Sequence, residues 1–276
     1  MTVSPFTPLN FRERRSDGLE SPYLQTFSTT DCILIQVLGT QEETCRAAVI
    51  SHSSSKSEAI VWNEWAINDT TYLRFTTLRL TEGIYSVSID GIGYSEPFRV
   101  TSDECVLSDT TLIQYSMKNN RQRTDAVFFV DGMQHFFDFR VPGGFKDSNW
   151  TFGVDSEQFV TQLADISQLY ALDSTQKKFT MGTAEGCPVW FAQLLNRVLC
   201  CNYVYFDGVR YARKESGVPE LAAVMDGVNS FVFTQQLQEV VNLDPDVEVR
   251  NQAAMRRSDD TTYRVTETNS YNRLTI

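Results

Sequence analysis

Short extended runs of apolar residues, broken by turn-forming dipeptides, dominate the chain, and helical spacing is scarce. Three Asp-Gly pairs sit between such runs. That is the strongest short-range hairpin signal, because both residues tolerate the positive φ of a two-residue turn. Asp90-Gly91 joins Ile84–Ile89 to Ile92–Ser95. It predicts Ile89 opposite Ile92 and Val87 opposite Tyr94, with one buried face and one wet face. Asp131-Gly132 joins Ala126–Val130 to Met133–Phe139, with apolar residues on both faces near the turn. This hairpin is expected to be covered on both sides, and parity puts His135 with Phe137 and Phe139. Asp207-Gly208 joins Tyr203–Phe206 to Val209–Ala212. Here Val204, Phe206, Val209 and Tyr211 share one face, and Tyr205 and Arg210 share the other.

One segment reads as a helix. From Pro188 to Leu199, Trp190, Leu194 and Val198 form one stripe, and Phe191, Leu195 and Leu199 form the next. Proline suits the first turn, and two apolar stripes predict a buried helix lying on a sheet. A weaker helical pattern spans Ser156–Leu169, with Phe159, Leu163 and Ile166 at helical spacing. Near the start, strands are predicted at Cys32–Leu38, Arg46–Ile50, Ala59–Trp65 and Tyr72–Leu80. The fold class is therefore mainly β with some α. An N-terminal β-sandwich, Ig-like or jelly-roll, precedes an antiparallel α+β domain with a buried helix. The expected division is an N-terminal extension at 1–20, the sandwich at 21–103, the α+β domain at 104–241 and a polar C-terminal arm at 242–276. Gly143-Gly144, after Val141-Pro142, reads as a turn.

Composition narrows the classes without naming one. Of the 276 residues, 42% are hydrophobic and 12% aromatic, enough for two cores and too apolar for a disordered chain. A net charge of −11 speaks against a nucleic-acid surface, which needs a positive field. The first twenty residues lack the apolar core of a secretory signal, and no stretch is long enough to insert in a membrane.

Candidate chemistry is sparse. The six cysteines form no C-x-x-C pair. A zinc site from Cys187, Cys200, Cys201 and His135 is outweighed by their role as small buried side chains. Of the two histidines, His52 lies in a polar serine-rich loop and His135 among phenylalanines, so neither is placed as a proton carrier. No nucleophile elbow, phosphate loop or metal-protease motif is present. The expectation is a protein that is not an enzyme, with no catalytic residue, metal or cofactor. Trp62 and Trp65 are the one candidate binding pair, as a platform for sugar rings. At i and i+3 on a strand they point to opposite faces unless a bulge intervenes.

Several stretches of the second domain carry a resemblance. They include Leu112-Ile113-Gln114-Tyr115-Ser116, Arg140-Val141-Pro142-Gly143-Gly144-Phe145 and Trp150-Thr151-Phe152-Gly153-Val154-Asp155. Gly186-Cys187-Pro188-Val189-Trp190-Phe191 and Tyr211-Ala212-Arg213-Lys214-Glu215 continue it. Together these resemble tail-associated structural proteins of tailed bacteriophages and prophages of gut Bacteroidetes, over about 107–238 and more loosely over the sandwich. The resemblance implies a virion protein of the tail, neck or baseplate, assembled in the host bacterial cytoplasm as a ring or collar of many copies. Its implied partners are copies of itself and other tail, neck or fibre proteins. The alternative is a carbohydrate-binding or adhesin-like module contacting the host surface.

Overall fold

The computed structural model describes residues 1–11, 21, 23–160, 166–214, 220–224 and 228–240. The expected C-terminal arm at 242–276 lies outside the described residues. The first unit contains β1 (Thr2–Val3), β2 (Gln25–Ser28), β3 (Ile33–Thr40), β4 (Ala47–Ser51) and β5 (Ser57–Ala59). It continues with β6 (Asn63–Ala66), β7 (Thr71–Leu78), β8 (Gly83–Ile89), β9 (Gly93–Tyr94) and β10 (Phe98–Thr101). One sheet has the order β1-β3-β7-β6 and the other β2-β10-β8-β4-β5, with β9 beside β8. The opening strand is split between the sheets, and its second part runs parallel to β10, the last strand. This is the connectivity of an immunoglobulin-type sandwich rather than a jelly roll.

The sandwich core holds without a disulfide. Ile35 on β3 and Val87 on β8 are fully buried in the same apolar cluster, with Phe27 and Phe98 in edge-to-face contact beside them. Two residues before Val87, the Tyr85 hydroxyl meets Thr81 Oγ1 at 3.2 Å, which locks the corner entering β8 as a tyrosine corner does. Gly83 permits this, because a Cβ there would lie 3.1 Å from the Tyr85 ring. Tyr85→Phe is expected to cost about 1 kcal/mol in urea denaturation, the net worth of one such hydrogen bond.

The chain then passes through α1 (Glu104–Ser108), capped by Asp103 accepting from Cys105 N–H, into β11 (Thr110–Ser116). The rest comprises β12 (Phe129–Val130), β13 (Met133–Gln134), β14 (Phe137–Val160), β15 (Ile166–Met181) and α2 (Val189–Val198). Then come β16 (Tyr203–Phe206), β17 (Val209–Arg213), β18 (Glu220–Ala223) and β19 (Phe231–Glu239). Six of these strands pair in a closed ring, β14-β11-β16-β17-β19-β15, all antiparallel. The result is a small barrel filled by Ile113, Phe139, Phe179, Phe206 and Leu237, none of them more than 2% exposed. Helix α2 sends Phe191, Leu194, Leu195 and Val198 into the same core, so the helix expected at 188–199 is present and buried.

Four expectations need correction. The Asp90-Gly91 turn is three residues long, pairing Ile89 with Gly93 and Ser88 with Tyr94, because Gly91 and Gly93 both take positive φ and shift the register by one. The strand expected at Ala59–Trp65 is two strands, β5 and β6, in different sheets. Gly143 is not in a turn but inside β14, at φ +100, where a Cβ would lie 2.2 Å from the Thr180 carbonyl oxygen. The helix expected at 156–169 is absent from its described part, since 156–160 end β14 and 166–169 begin β15. Residues 161–165 of that span lie outside the described residues. Apolar residues three and four apart fit either conformation, and the cross-strand pairing decides for strand.

The other two hairpins have the predicted registers, Val130 opposite Met133 and Phe206 opposite Val209. The second is covered on both sides. Val127 and Val130 pack on Leu38 and Leu73 of the sandwich, while Ala126 and Phe128 pack into the barrel core. It thus forms a wedge between the units, held by Gln36, whose amide accepts from Val127 N–H and donates to its carbonyl. Residues 1–11 reach both units: β1 pairs with β3, Leu9 joins the sandwich core and Phe6 the barrel core. A buried polar cluster completes the junction. Arg140 donates from Nε and Nη2 to the Asp31 carboxylate at 2.7 and 2.9 Å, and Asp138 accepts from Cys32 N–H and Gln114 Nε2, both at 2.8 Å.

Candidate assembly surface

Among the described residues, an uncovered apolar stripe grows out of the barrel wall. β14 stays beside β11 only to Pro142, and β15 stays beside β19 only from Gln176 onward. Between the pairs Phe152–Thr175 and Val160–Ile166, the two strands pair with each other alone among the described residues. At about 3.3 Å per residue, this two-stranded ribbon reaches about 30 Å past the barrel.

Parity gives the ribbon two unlike faces. On β15 the side that carries Phe179 and Met181 into the barrel core continues as Lys177, Thr175 and Asp173. Their cross-strand partners on β14 are Trp150, Phe152 and Val154. The barrel's lining face therefore runs on beyond the rim, with no barrel around it. Phe152 is 73% exposed and Val154 66%. The opposite face is polar, pairing Thr151 with Gln176 and Gly153 with Ser174. Phe159, nearer the tip, is also exposed.

The root of the ribbon is anchored. Lys177 Nζ sits 4.2 Å from the centre of the Trp150 ring, 3.0 Å from the Tyr211 hydroxyl and 3.1 Å from Glu239. Burial opposes the charge on Lys177, but the bonds to Tyr211 and Glu239 outweigh it and raise its pKa above the usual lysine range. Trp150 and Phe152 stand 6.0 Å apart in a tilted pair. A two-stranded ribbon is marginal in water by itself, and an open aromatic stripe adds a further cost that a covering surface removes.

The residues singled out in the sequence lie elsewhere. Trp62 packs against the sandwich core, whereas Trp65 packs against the wedge cluster of Leu38, Leu73, Val127 and Val130. They form no common platform. His52 bonds Ser86 Oγ through Nε2 at 2.7 Å. His135 does not join Phe137 and Phe139 in the barrel. The chain leaves strand geometry between β13 and β14, and its ring lies edge-on to Phe75 at 5.3 Å, where burial lowers its pKa. Cys187 is buried beneath Phe231, with its thiol pushed up to about 12 by burial, while Cys200 is exposed and bonds Asn196. Among the described residues, no three His, Cys, Asp or Glu side chains gather around a point where an ion could sit. No helix among them is long and apolar enough to cross a membrane.

The ribbon is what sequence reasoning missed. Its signal is the strict alternation Trp150, Phe152, Val154 against Thr151 and Gly153, which identifies a strand with one apolar face.

No family model matches the chain, and no curated protein does. Among solved structures, one similarity is to the crystal structure of the ZIG-8–RIG-5 IG1-IG1 heterodimer. It covers 34% of this chain and 90% of that chain at 11% identity, with a TM-score of 0.18. Another is to the crystal structure of Dpr2 Ig1-Ig2 in complex with DIP-Theta Ig1-Ig3. It covers 80% of this chain and 89% of that chain at 9% identity, also with a TM-score of 0.18.

Proposed function

We propose that this chain is a structural subunit that works by assembling in many copies. Given the resemblance over 107–238, the assembly is a ring or collar in the tail, neck or baseplate of a tailed bacteriophage. Its partners are then further copies of itself and adjoining tail, neck or fibre proteins, and its location is the virion. One observation carries the assembly reading: the barrel's apolar lining face continues along a projecting ribbon on which Phe152 and Val154 are largely exposed. A side chain that belongs to a lining, on a strand that leaves its barrel, is accounted for when another surface completes the lining.

The test is the mass of the full chain in solution, by light scattering and negative-stain imaging. Multiples of 31.4 kDa that resolve as rings or arcs are expected. A monomer persisting to about 0.1 mM, where even an association worth only about 5–6 kcal/mol would register, removes the reading. Replacing Phe152 and Val154, which take no part in the Lys177 anchor, together by serine is expected to weaken association by about 100-fold, because each contributes about 1.5 kcal/mol when covered. The thermal midpoint of the subunit is expected to stay where it is.

A further inference from the structure

A cavity of about 470 Å³ lies at the junction of the sandwich and the barrel, where β2 and β10 meet α1 and the loop between β15 and α2. Small-molecule sites favour such junctions and span about 300–1,000 Å³, a range that includes this volume. Part of the wall is apolar, formed by Tyr23, Leu24, Val106 and Pro142. Three ionic side chains share the lining: Arg99 from β10, Asp109 at the end of α1 and Glu185 ahead of α2.

Arg99 is a half-buried cation held by a neutral contact. Its Nη2 donates to Thr26 Oγ1 at 3.2 Å, Nε is buried without an acceptor, and no ion pair reaches the guanidinium among the described residues. A carboxylate in the cavity matches the planar fork of such a group and offsets the cost of taking its charge partly out of water. A simple anion does not suit the remaining lining. Asp109 and Glu185 are both exposed, neither is ion-paired among the described residues, and the whole chain carries a net charge of −11. That field repels a ligand that is negative throughout and favours one whose carboxylate comes with a cation.

We infer that the cavity binds a small zwitterion with the size and chemistry of an apolar dipeptide. Its carboxylate meets Arg99, its ammonium faces Asp109 and Glu185, and its side chains lie against Tyr23, Val106 and Pro142. Charge is matched at both ends while the ligand stays neutral overall. Binding here is separable from assembly, since none of these residues lies on the ribbon.

Titration of the full chain with leucyl-leucine, by calorimetry, tests the site. The comparison compounds are its N-acetyl form, which lacks the cation, and its amide, which lacks the anion. Leucyl-leucine is expected to bind with a dissociation constant of about 1 mM or tighter, and each derivative at least about tenfold more weakly. Cys105 is exposed and lines the same cavity, so saturating peptide is expected to slow its alkylation several-fold, while Cys200, which is exposed outside the cavity, keeps its rate. Arg99→Gln is expected to erase the preference for leucyl-leucine over its amide, with the thermal midpoint reporting whether the variant folds. The unmodified chain decides the matter even where that variant does not fold. No saturable binding of leucyl-leucine at about 10 mM, equal affinity for either derivative, or unchanged alkylation of Cys105 overturns the site. A folded Arg99→Gln variant that still discriminates between peptide and amide overturns it as well.

Discussion

Arg140→Ala is expected to cost about 3–5 kcal/mol in urea denaturation, the largest loss of any single substitution argued for this chain. The reason lies in what is left behind. The Asp31 side chain is 1% exposed and the Arg140 side chain 11%. Asp31 sits in the turn between β2 and β3, where Oδ2 also accepts from Ser28 N–H at 2.8 Å. Removing the guanidinium leaves a carboxylate with one backbone donor, sealed between two units and out of reach of water. The loss is therefore mostly the cost of an unpaired buried charge, and less the worth of the pair itself. A second substitution separates the two. Asp31→Ala added to Arg140→Ala removes the stranded charge, and the double variant is expected to be more stable than Arg140→Ala alone by more than 1 kcal/mol. Strictly additive losses would show that the pair is solvated in solution and that the junction is looser than described.

The junction also shows where sequence reading reached its limit. Local chemistry was legible. At Asp131-Gly132 and Asp207-Gly208 both turn residues take positive φ, and the strands follow the expected registers. Proline before an apolar double stripe marked α2, and the alternation of the early strands marked a sandwich. Closure of the barrel was not legible. It depends on β11 pairing with β16, about ninety residues later, and on β15 pairing with β19, and no short-range preference encodes such partners. Asp90-Gly91 shows a subtler failure. The dipeptide announces a turn, but Gly93 allows a third loop residue, and one residue of slip reverses every side chain on the returning strand.

For the candidate site the boundary falls in a similar place. Alternation at Trp150, Phe152 and Val154 states that these side chains share a face. It does not state whether that face lines a barrel or leaves one, because the answer lies in where β11 and β19 stop pairing. The tryptophan pair was legible in the opposite sense. Parity predicted divergent side chains for Trp62 and Trp65, and they divide between two clusters. Strand parity does not place His135, because the chain is not in strand conformation at 135–136.

Stability is expected to depend on pH through Asp138, whose carboxyl is raised from its usual value to about 6. Burial is the main cause, and the nearby negative charge of Asp31 adds to it. The bonds from Cys32 N–H and Gln114, and the positive charge of Arg140, pull the other way without prevailing. The folded state thus holds this proton more tightly than the unfolded chain. The stabilisation from the protonated form is fully present below about pH 4, where both states are protonated. It is lost as pH rises through about 6, because the unfolded chain releases its proton first. Two pH units of displacement correspond to about 3 kcal/mol. Other carboxylates run the opposite way: the Arg123 guanidinium beside Asp125 holds that group below the usual range, so Asp125 favours the folded state above it. The contribution of Asp138 is therefore isolated by difference. Asp138→Asn keeps the shape, and a turn of the Gln114 amide lets its oxygen accept from the new side chain while Cys32 N–H still donates. Measured by urea denaturation at intervals between pH 4 and 7.5, the parent is expected to gain about 3 kcal/mol on this variant as the solution is acidified. A difference that stays level across that range would mean that water reaches Asp138, and with it that the two units part more readily than their packing implies.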